Sequence, residues 1–359
     1  MDRGFIYLNK KNLISNLDYL GQVSQKKICL VVKANAYGHG IEWTVRVADS
    51  FGVDWFAVAS VDEALIVRKA SPLSNILLLS EPSVSQLDII QKNKIDLTVY
   101  NTTFIDELIK SEYPFNVHLK VDTGMHRVGC EPDKFETLFS QIVESSLNLR
   151  GVCTHFPVSD TNSESTNNSI ALFKEIISNV DVSNLLVHVD NSASTFFNSD
   201  TSFNMSRIGL AAYGTFVSSE NLNHELNPIM EIKTRISNLQ KRKAGETVSY
   251  GKAQKLERDS IIATAPIGYG DGYPWNSFPD GRVIVKNTFC KLVGRVTMDQ
   301  ILFDVTDLNV EIDDEVVILG KSDDSSLEIT VSDIASWNKT IEWEILTNMS
   351  KRLERVEVG

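Results

Sequence analysis

The sequence predicts a (β/α)8 TIM-like barrel followed by a smaller, mostly-β domain. Three observations carry this reading. From Ile28 onward, short apolar runs alternate with stretches of helical period, and strands alternating with helices specify a parallel sheet. Eight such runs fall within about two hundred residues, which fits a closed barrel. After about Glu225 the texture changes to segments rich in Val, Ile and Thr, divided by turns containing Gly, Asn and Asp. That pattern reads as a separate β domain. The expected division is therefore 1–225 and 226–359, with the first few residues as candidates to pair with the second domain. A doubly wound open sheet is the structural alternative for the first part.

In order, the strand-like runs are Ile28–Val32, Trp55–Ala59, Ile76–Leu79, Leu97–Tyr100, Phe115–Val121, Leu149–Thr154, Leu185–Val189 and Met205–Gly209. Such short apolar runs suit strands buried on both faces. Val61–Lys69, Phe104–Lys110, Lys134–Val143 and Ile170–Ile177 carry helical period between them. The polar stretch Thr161–Ser169 reads as a loop or a helix start. In the second domain the expected strands are Ile229–Ile236, Thr247–Tyr250, Ile261–Ala265, Val283–Val285, Leu292–Thr297, Ile301–Val305 and Val316–Leu319. Only Val331–Trp337 and Ile341–Met349 look helical there.

At 359 residues the chain exceeds one ordinary domain, and 42% apolar residues suffice for a core. A net charge of −12 argues against nucleic acid or an anionic membrane as partner. No apolar run approaches the length of a membrane span, and Met1–Lys10 lacks the apolar centre of a signal peptide. Cys29, Cys130, Cys153 and Cys290 are scattered without metal-type spacing, and three of them read as small core residues. The expectation is a soluble, cytoplasmic protein that binds no metal and acts on a small molecule.

The residues that carry chemistry gather where such a barrel places function, at the C-terminal ends of strands. Lys33 ends the first run, and Val31 to Gly40 reads VVKANAYGHG. A lysine at the mouth of a buried strand is desolvated, so its ammonium form is disfavoured and its amine becomes nucleophilic, as a Schiff-base lysine requires. Asp122 to Arg127 follow the fifth run, His155 the sixth, His188 and Asp190-Asn191-Ser192 the seventh, and Arg207-Ile208-Gly209 the eighth. Closure of the barrel makes the first and eighth strands neighbours, so Lys33 and Arg207 share one mouth. Any one of these residues alone has a plain structural reading, as a core histidine or an ion-pair arginine; five coincident placements are harder to explain that way.

Along almost its whole length the chain resembles the bacterial alanine racemases, a family dependent on pyridoxal 5'-phosphate. VVKANAYGHG is similar to the family segment whose lysine carries the cofactor and whose tyrosine contacts its phosphate, roles that fall on Lys33 and Tyr37. KVDTGMHRVG, Lys120 to Gly129, resembles the segment in which an often carbamylated lysine, here Lys120, orients an arginine, here Arg127. That arginine contacts the cofactor's phenolic oxygen and the substrate carboxylate. Thr154-His155-Phe156, followed by Asp160, is similar to the segment whose histidine lies against the cofactor ring. His188 with Asn191-Ser192-Ala193 resembles the turn whose serine binds phosphate, implying that role for Ser192. Arg207-Ile208-Gly209-Leu210 with Tyr213-Gly214 resembles the segment whose arginine faces the pyridine nitrogen and whose amides, at Gly209 and Leu210, hold phosphate. Val248-Ser249-Tyr250-Gly251 is similar to the segment bearing the second catalytic base, implying Tyr250. In the family this tyrosine comes from the other subunit, so a homodimer with shared active sites is implied. Gly268 to Pro274 resembles the channel-tyrosine segment, implying Tyr269. Gly294 to Gln300 resembles the stretch whose Met-Asp pair, here Met298 and Asp299, binds the substrate carboxylate. Arg295 matches an arginine lining the channel.

The resemblance implies interconversion of L- and D-alanine by a two-base mechanism, supplying D-alanine for peptidoglycan. Arg207 sharpens it. Arginine only donates and stays charged, so the ring nitrogen it faces stays unprotonated, which suits racemisation better than decarboxylation or transamination. The chain departs from the family in three places. Trp275 stands for a common arginine, Lys351 for a tyrosine that touches phosphate, and His126 for a common glycine. A racemase of serine or a broader amino-acid range, and a non-catalytic barrel that binds the same cofactor, are the alternatives. Tyr250 and the Met298-Asp299 segment count against the latter.

Overall fold

The structure is a computed structural model that describes residues 3–197, 200, 202–215, 225–322 and 326–359. By contacts it divides into two compact units, Leu13–Asn227 and Met1–Asn12 with Pro228–Gly359.

Strand β1 (Phe5–Asn9) belongs to the second unit. The first holds β2 (Lys27–Val31), β3 (Trp55–Val58), β4 (Asn75–Leu78), β5 (Asp96–Val99), β6 (Asn116–Lys120), β7 (Asn148–Cys153), β8 (Leu186–His188) and β9 (Met205–Ile208). All eight expected strands are present, shifted by about a residue. They pair in parallel in the order β8-β7-β6-β5-β4-β3-β2-β9. Backbone bonds from Asn204 N–H to Val187 O and from Arg207 N–H to Asp190 O join the two ends. This is the barrel rather than the open sheet.

The strands carry near-continuous apolar side chains because both faces are covered; β3 and β9 are buried at every position. Helices over Ile41–Phe51, Val61–Ala70, Thr102–Lys110, Phe135–Val143 and Ser163–Ile177 lie between them. Local chemistry starts these helices. Ser60 and Glu63 form a capping box at Val61, and Asn101 and Asn162 accept N–H bonds at their helix starts. The polar stretch at Thr161–Ser169 is thus a helix start.

In the second unit, β10 (Met230–Arg235), β11 (Asn238–Arg242), β12 (Thr247–Val248), β13 (Gln254–Lys255), β14 (Ser260–Ala265), β15 (Arg282–Val285), β16 (Thr288–Lys291), β17 (Ile301–Asp304), β18 (Glu315–Lys321), β19 (Glu328–Ile329) and β20 (Glu354–Val358) follow. β16-β15-β18-β10-β1-β20 form one sheet, with β19 beside β18. β1 runs antiparallel to β10 and parallel to β20. β11-β14-β17 form a second sheet and β12-β13 a short ribbon.

Two expectations need correction. Leu292–Thr297 is not a strand. It makes an isolated bridge at Leu292, and Gly294 within it has φ +78°, which breaks a ladder. Thr247–Tyr250 is a strand only to Val248; Tyr250 opens a tight turn. Among the described residues no helix is long and apolar enough to cross a membrane.

Candidate active site

Lys33 leaves β2 through an unusual turn. Ala34, Asn35, Ala36 and Tyr37 all have φ between 51° and 55°, the left-handed region, which costs roughly 1–2 kcal/mol for each L-residue. Brackets hold it. Glu63 Oε1 accepts Ala34 N–H at 2.7 Å, Asn35 Oδ1 accepts Ile41 N–H at 3.0 Å, and Tyr213 Oη donates to Val31 O at 2.9 Å. Glu63 Oε2 also accepts Ala59 N–H, joining the exit of β3 to that of β2. Burial, with the Arg127 guanidinium nearby, lowers the pKa of Lys33, so its amine loses its proton more readily than a surface lysine's.

The turn delivers Tyr37 to Gly209. A Cβ on Gly209 would meet Tyr37 Oη at 2.5 Å, so only glycine admits the phenol here. Burial pushes the Tyr37 phenol up to about 12, keeping it a donor. Beside it Ser192 Oγ accepts the N–H of Gly209 at 3.0 Å and of Ala211 at 3.3 Å. Leu210 starts the tight turn that follows. These groups form a small cradle of hydroxyls and backbone N–H donors.

Arg207 is almost wholly buried. Its Nη1 donates to His188 Nδ1 at 2.6 Å and to His188 O at 2.7 Å. Nη2 donates to Thr154 O at 2.7 Å and Val189 O at 3.3 Å, and lies 3.4 Å from His155 Nδ1. Among the described residues Nε donates to nothing, leaving one directed donor unspent. Burial first, then the Arg207 charge, lowers the pKa of both His155 and His188 far below the ordinary imidazole range. Both rings are neutral at pH 7.

Lys120 is buried at the end of β6 and has no carboxylate partner among the described residues. Burial lowers its pKa to about 8. Arg127 is exposed and makes no hydrogen bond among the described residues. The unmodified Lys120 therefore does not anchor it. His126, beside it, has φ +52°, the conformation that favours the glycine common at this position.

The β unit gathers its own set. Ser249 Oγ donates to Arg295 O at 3.0 Å, and a Cβ on Gly251 would lie 3.7 Å from Arg295 Nη1. Tyr250 between them is 71% exposed. Arg295 also lies over the Trp275 ring, 5.9 Å from its centroid. Tyr269 and Gly270 donate backbone N–H bonds to Thr297 O and Met298 O. Asp299 is held by Arg3 at 3.1 Å and Arg352 at 2.6 Å, and buried Asp271 accepts two bonds from Arg3. Tyr250, Tyr269, Trp275 and Met298 all leave large apolar surface exposed.

Sequence reasoning missed Glu63, His118, Asp96 and the Arg3–Asp271–Arg352 brace. Glu63 carried a signal, as the third residue after Ser60 in a capping box.

Fold and site together define a two-domain barrel protein whose mouth pairs a desolvated lysine with an anion cradle and a buried arginine. The comparisons narrow the class. Residues 8–216 match the family model for the alanine racemase N-terminal domain and 229–357 that for the C-terminal domain. Alanine racemase 1 of Clostridium acetobutylicum is 35% identical, covering 97% of this chain and 93% of that protein. The alanine racemase of Treponema denticola is 36% identical, covering 92% and 91%. The crystal structure of alanine racemase from E. faecalis superposes with a TM-score of 0.93 at 28% identity, over 99% of this chain and 98% of that one. That of Bacillus anthracis with bound L-Ala-P gives 0.92 at 28% identity, over 100% and 96%. The chain belongs to the alanine racemase family.

Proposed function

We propose that this protein interconverts L- and D-alanine with pyridoxal 5'-phosphate, using Lys33 and Tyr250 as its two bases. One observation carries the reading: the barrel mouth brings together the Lys33 amine, the Arg207 cation and the Tyr37–Ser192–Gly209 cradle. These residues fit that cofactor. The hydroxyls of Tyr37 and Ser192 and the N–H of Leu210 suit a phosphate dianion, to which the Gly209 N–H would pass from Ser192 Oγ. An aldehyde needs a desolvated amine, which Lys33 supplies.

Bound pyridoxal phosphate supplies an electron-withdrawing ring that acidifies the α-hydrogen of an attached amino acid. The chain does the rest. Lys33 Nζ would hold the cofactor and, once released by substrate, would move a proton on one face of the substrate α-carbon. Arg207 would face the ring nitrogen with its unspent Nε donor and, as a permanent cation that can only donate, would leave that nitrogen unprotonated. His155, a neutral imidazole, would lie against the ring. Arg127 would receive the substrate carboxylate, oriented by Lys120 if its neutral amine adds carbon dioxide and releases a proton to solvent to become a carbamate. Tyr250 of the partner subunit moves the proton on the other face. Met298 and Asp299 of the partner subunit complete the carboxylate site, with Tyr269 and Arg295 lining the approach. The exposure of Tyr250, Tyr269, Trp275 and Met298 supports a homodimer, since large apolar side chains left in water are enriched at interaction sites. In the cell this activity supplies D-alanine to peptidoglycan synthesis in the cytoplasm.

A racemase of serine or other small amino acids is the second reading, favoured by Trp275 and Lys351 in place of the family's usual residues. One experiment tests both. The purified protein is incubated with pyridoxal phosphate, its visible absorbance recorded, and loss of optical rotation followed on L-alanine and L-serine. The expected result is a coloured protein that racemises alanine fastest, and a Lys33→Ala variant without the bound absorbance. A colourless protein, or one that changes no amino acid, overturns the proposal; a faster rate on serine replaces alanine as the substrate.

A further inference from the structure

Behind Arg207 a line of buried polar groups runs from the C-terminal ends of the strands to their N-terminal ends. His188 Nε2 lies 2.9 Å from His118 Nδ1, in β6. His118 Nε2 lies 3.3 Å from Asp96 Oδ2, at the start of β5. Asp96 in turn accepts from Arg150 Nη1 at 2.9 Å and from Asn116 Nδ2 at 2.9 Å. His118 and His188 are wholly buried, and Asp96 nearly so. Space is reserved for the line: a Cβ on Gly151 would meet His118 Nδ1 at 2.4 Å.

Chemistry gives the line one direction. Arg207 can only donate, so His188 Nδ1 must be the bare, accepting nitrogen. His188 then carries its hydrogen on Nε2 and donates it to His118 Nδ1. His118 therefore carries its own on Nε2 and donates it to the Asp96 carboxylate, which can only accept. A second proton on either ring would set two donors face to face. Burial also disfavours the charged form of both imidazoles.

We propose that Asp96 and His118 are positioning residues for Arg207. The carboxylate at one end of the barrel fixes both imidazole tautomers, and so fixes the lone pair on His188 that holds the guanidinium at the other end. This rests on the reading of Arg207 as the partner of the cofactor ring. Arg207 is the group that touches the cofactor; His188, His118 and Asp96 act through it. Without the line, only the donation from Arg207 itself holds the tautomer; a His188 with its hydrogen on Nδ1 is no longer opposed from behind, and in that form the guanidinium is turned away.

The test is nitrogen NMR of the histidine rings in the full-length protein as purified. There are six histidines, few enough to assign by substitution. The expected spectrum shows His118 and His188 as neutral rings, each with hydrogen on Nε2 and a bare Nδ1. His118→Gln retains the His188 tautomer, because its amide nitrogen donates to Asp96 and its oxygen accepts from His188. His118→Leu loses the single tautomer and lowers kcat by about 10–100-fold, the scale seen for partners behind a ligating side chain, with KM little changed. Hydrogen on Nδ1 of either ring, or a doubly protonated ring at neutral pH, overturns the proposal, as does a folded His118→Leu variant with unchanged kcat. If His118→Leu does not fold, the unaltered protein and the Gln variant decide the matter alone. The expected tautomers in a protein that racemises nothing would support the line while removing the functional reading.

Discussion

Lys120 is a buried amine with no carboxylate within ion-pair reach among the described residues, and removing it has a calculable effect. Burial lowers its pKa from 10.5 to about 8. A tenfold change in proton affinity corresponds to about 1.4 kcal/mol, so at pH 7 the unmodified side chain costs the fold about 3 kcal/mol. The folded pKa is below the unfolded one, so between pH 8 and pH 10.5 the unfolded chain binds the extra proton and stability rises with pH. Below pH 8 the full cost is present; above pH 10.5 it is gone. Lys120→Met keeps the volume and drops the charge. For a domain of this size about 2–4 °C accompanies each kcal/mol, so the variant should melt about 6–12 °C higher at pH 7. The gap should close as the pH approaches 10.5. The assay is thermal unfolding of the cofactor-free protein at several pH values, in buffer purged of carbon dioxide. Bicarbonate should then raise the melting temperature of the unaltered protein, by capping the amine, and leave the variant unmoved. Equal melting temperatures at pH 7 would refute the reasoning, for Lys120 would then be solvated or already paired.

Further outcomes are expected at Tyr250, Glu63 and His126. Tyr250→Phe should slow proton removal from one enantiomer far more than from the other, read by deuterium exchange from each; mixing it with Lys33→Ala should regenerate activity through hybrid dimers. Glu63→Ala removes a helix cap and the bond to Ala34 N–H, and should lower stability by about 1–2 kcal/mol in denaturant titrations, with a fall in kcat because the Lys33 turn loses a bracket. His126→Gly relieves a left-handed residue and should hold or raise stability by up to about 1 kcal/mol, measured by thermal unfolding.

Much of this architecture is legible in the order of the residues. The eight barrel strands are short apolar runs buried on both faces, so their hydrophobicity marks them directly. β1 marks itself less plainly, because Phe5–Asn9 alternates buried and half-buried positions; its candidacy to pair with the second domain is legible, but not its partners β10 and β20, more than two hundred positions away. Leu292–Thr297 reads as a strand by composition, yet Gly294 at φ +78° turns the chain there. The site divides similarly. Lys33, His155, His188 and Arg207 are conspicuous because polar residues at the ends of apolar strands are few. His118 and Asp96 are not, because their importance arises from pairings across strands. One signal is present: His118 and Lys120 alternate along β6 with Val117 and Leu119, and a polar row at period two in a buried strand needs an internal partner.

The reverse-handed turn after Lys33 has a mechanical consequence. Four consecutive residues wound against the grain of the polypeptide form a stiff lever, with an amine at one end and a phenol wedged against bare backbone at the other. Neither tip can shift alone. An anion that settles under the phenol thereby also aims the amine, and a change that slackens either tip will be felt at both.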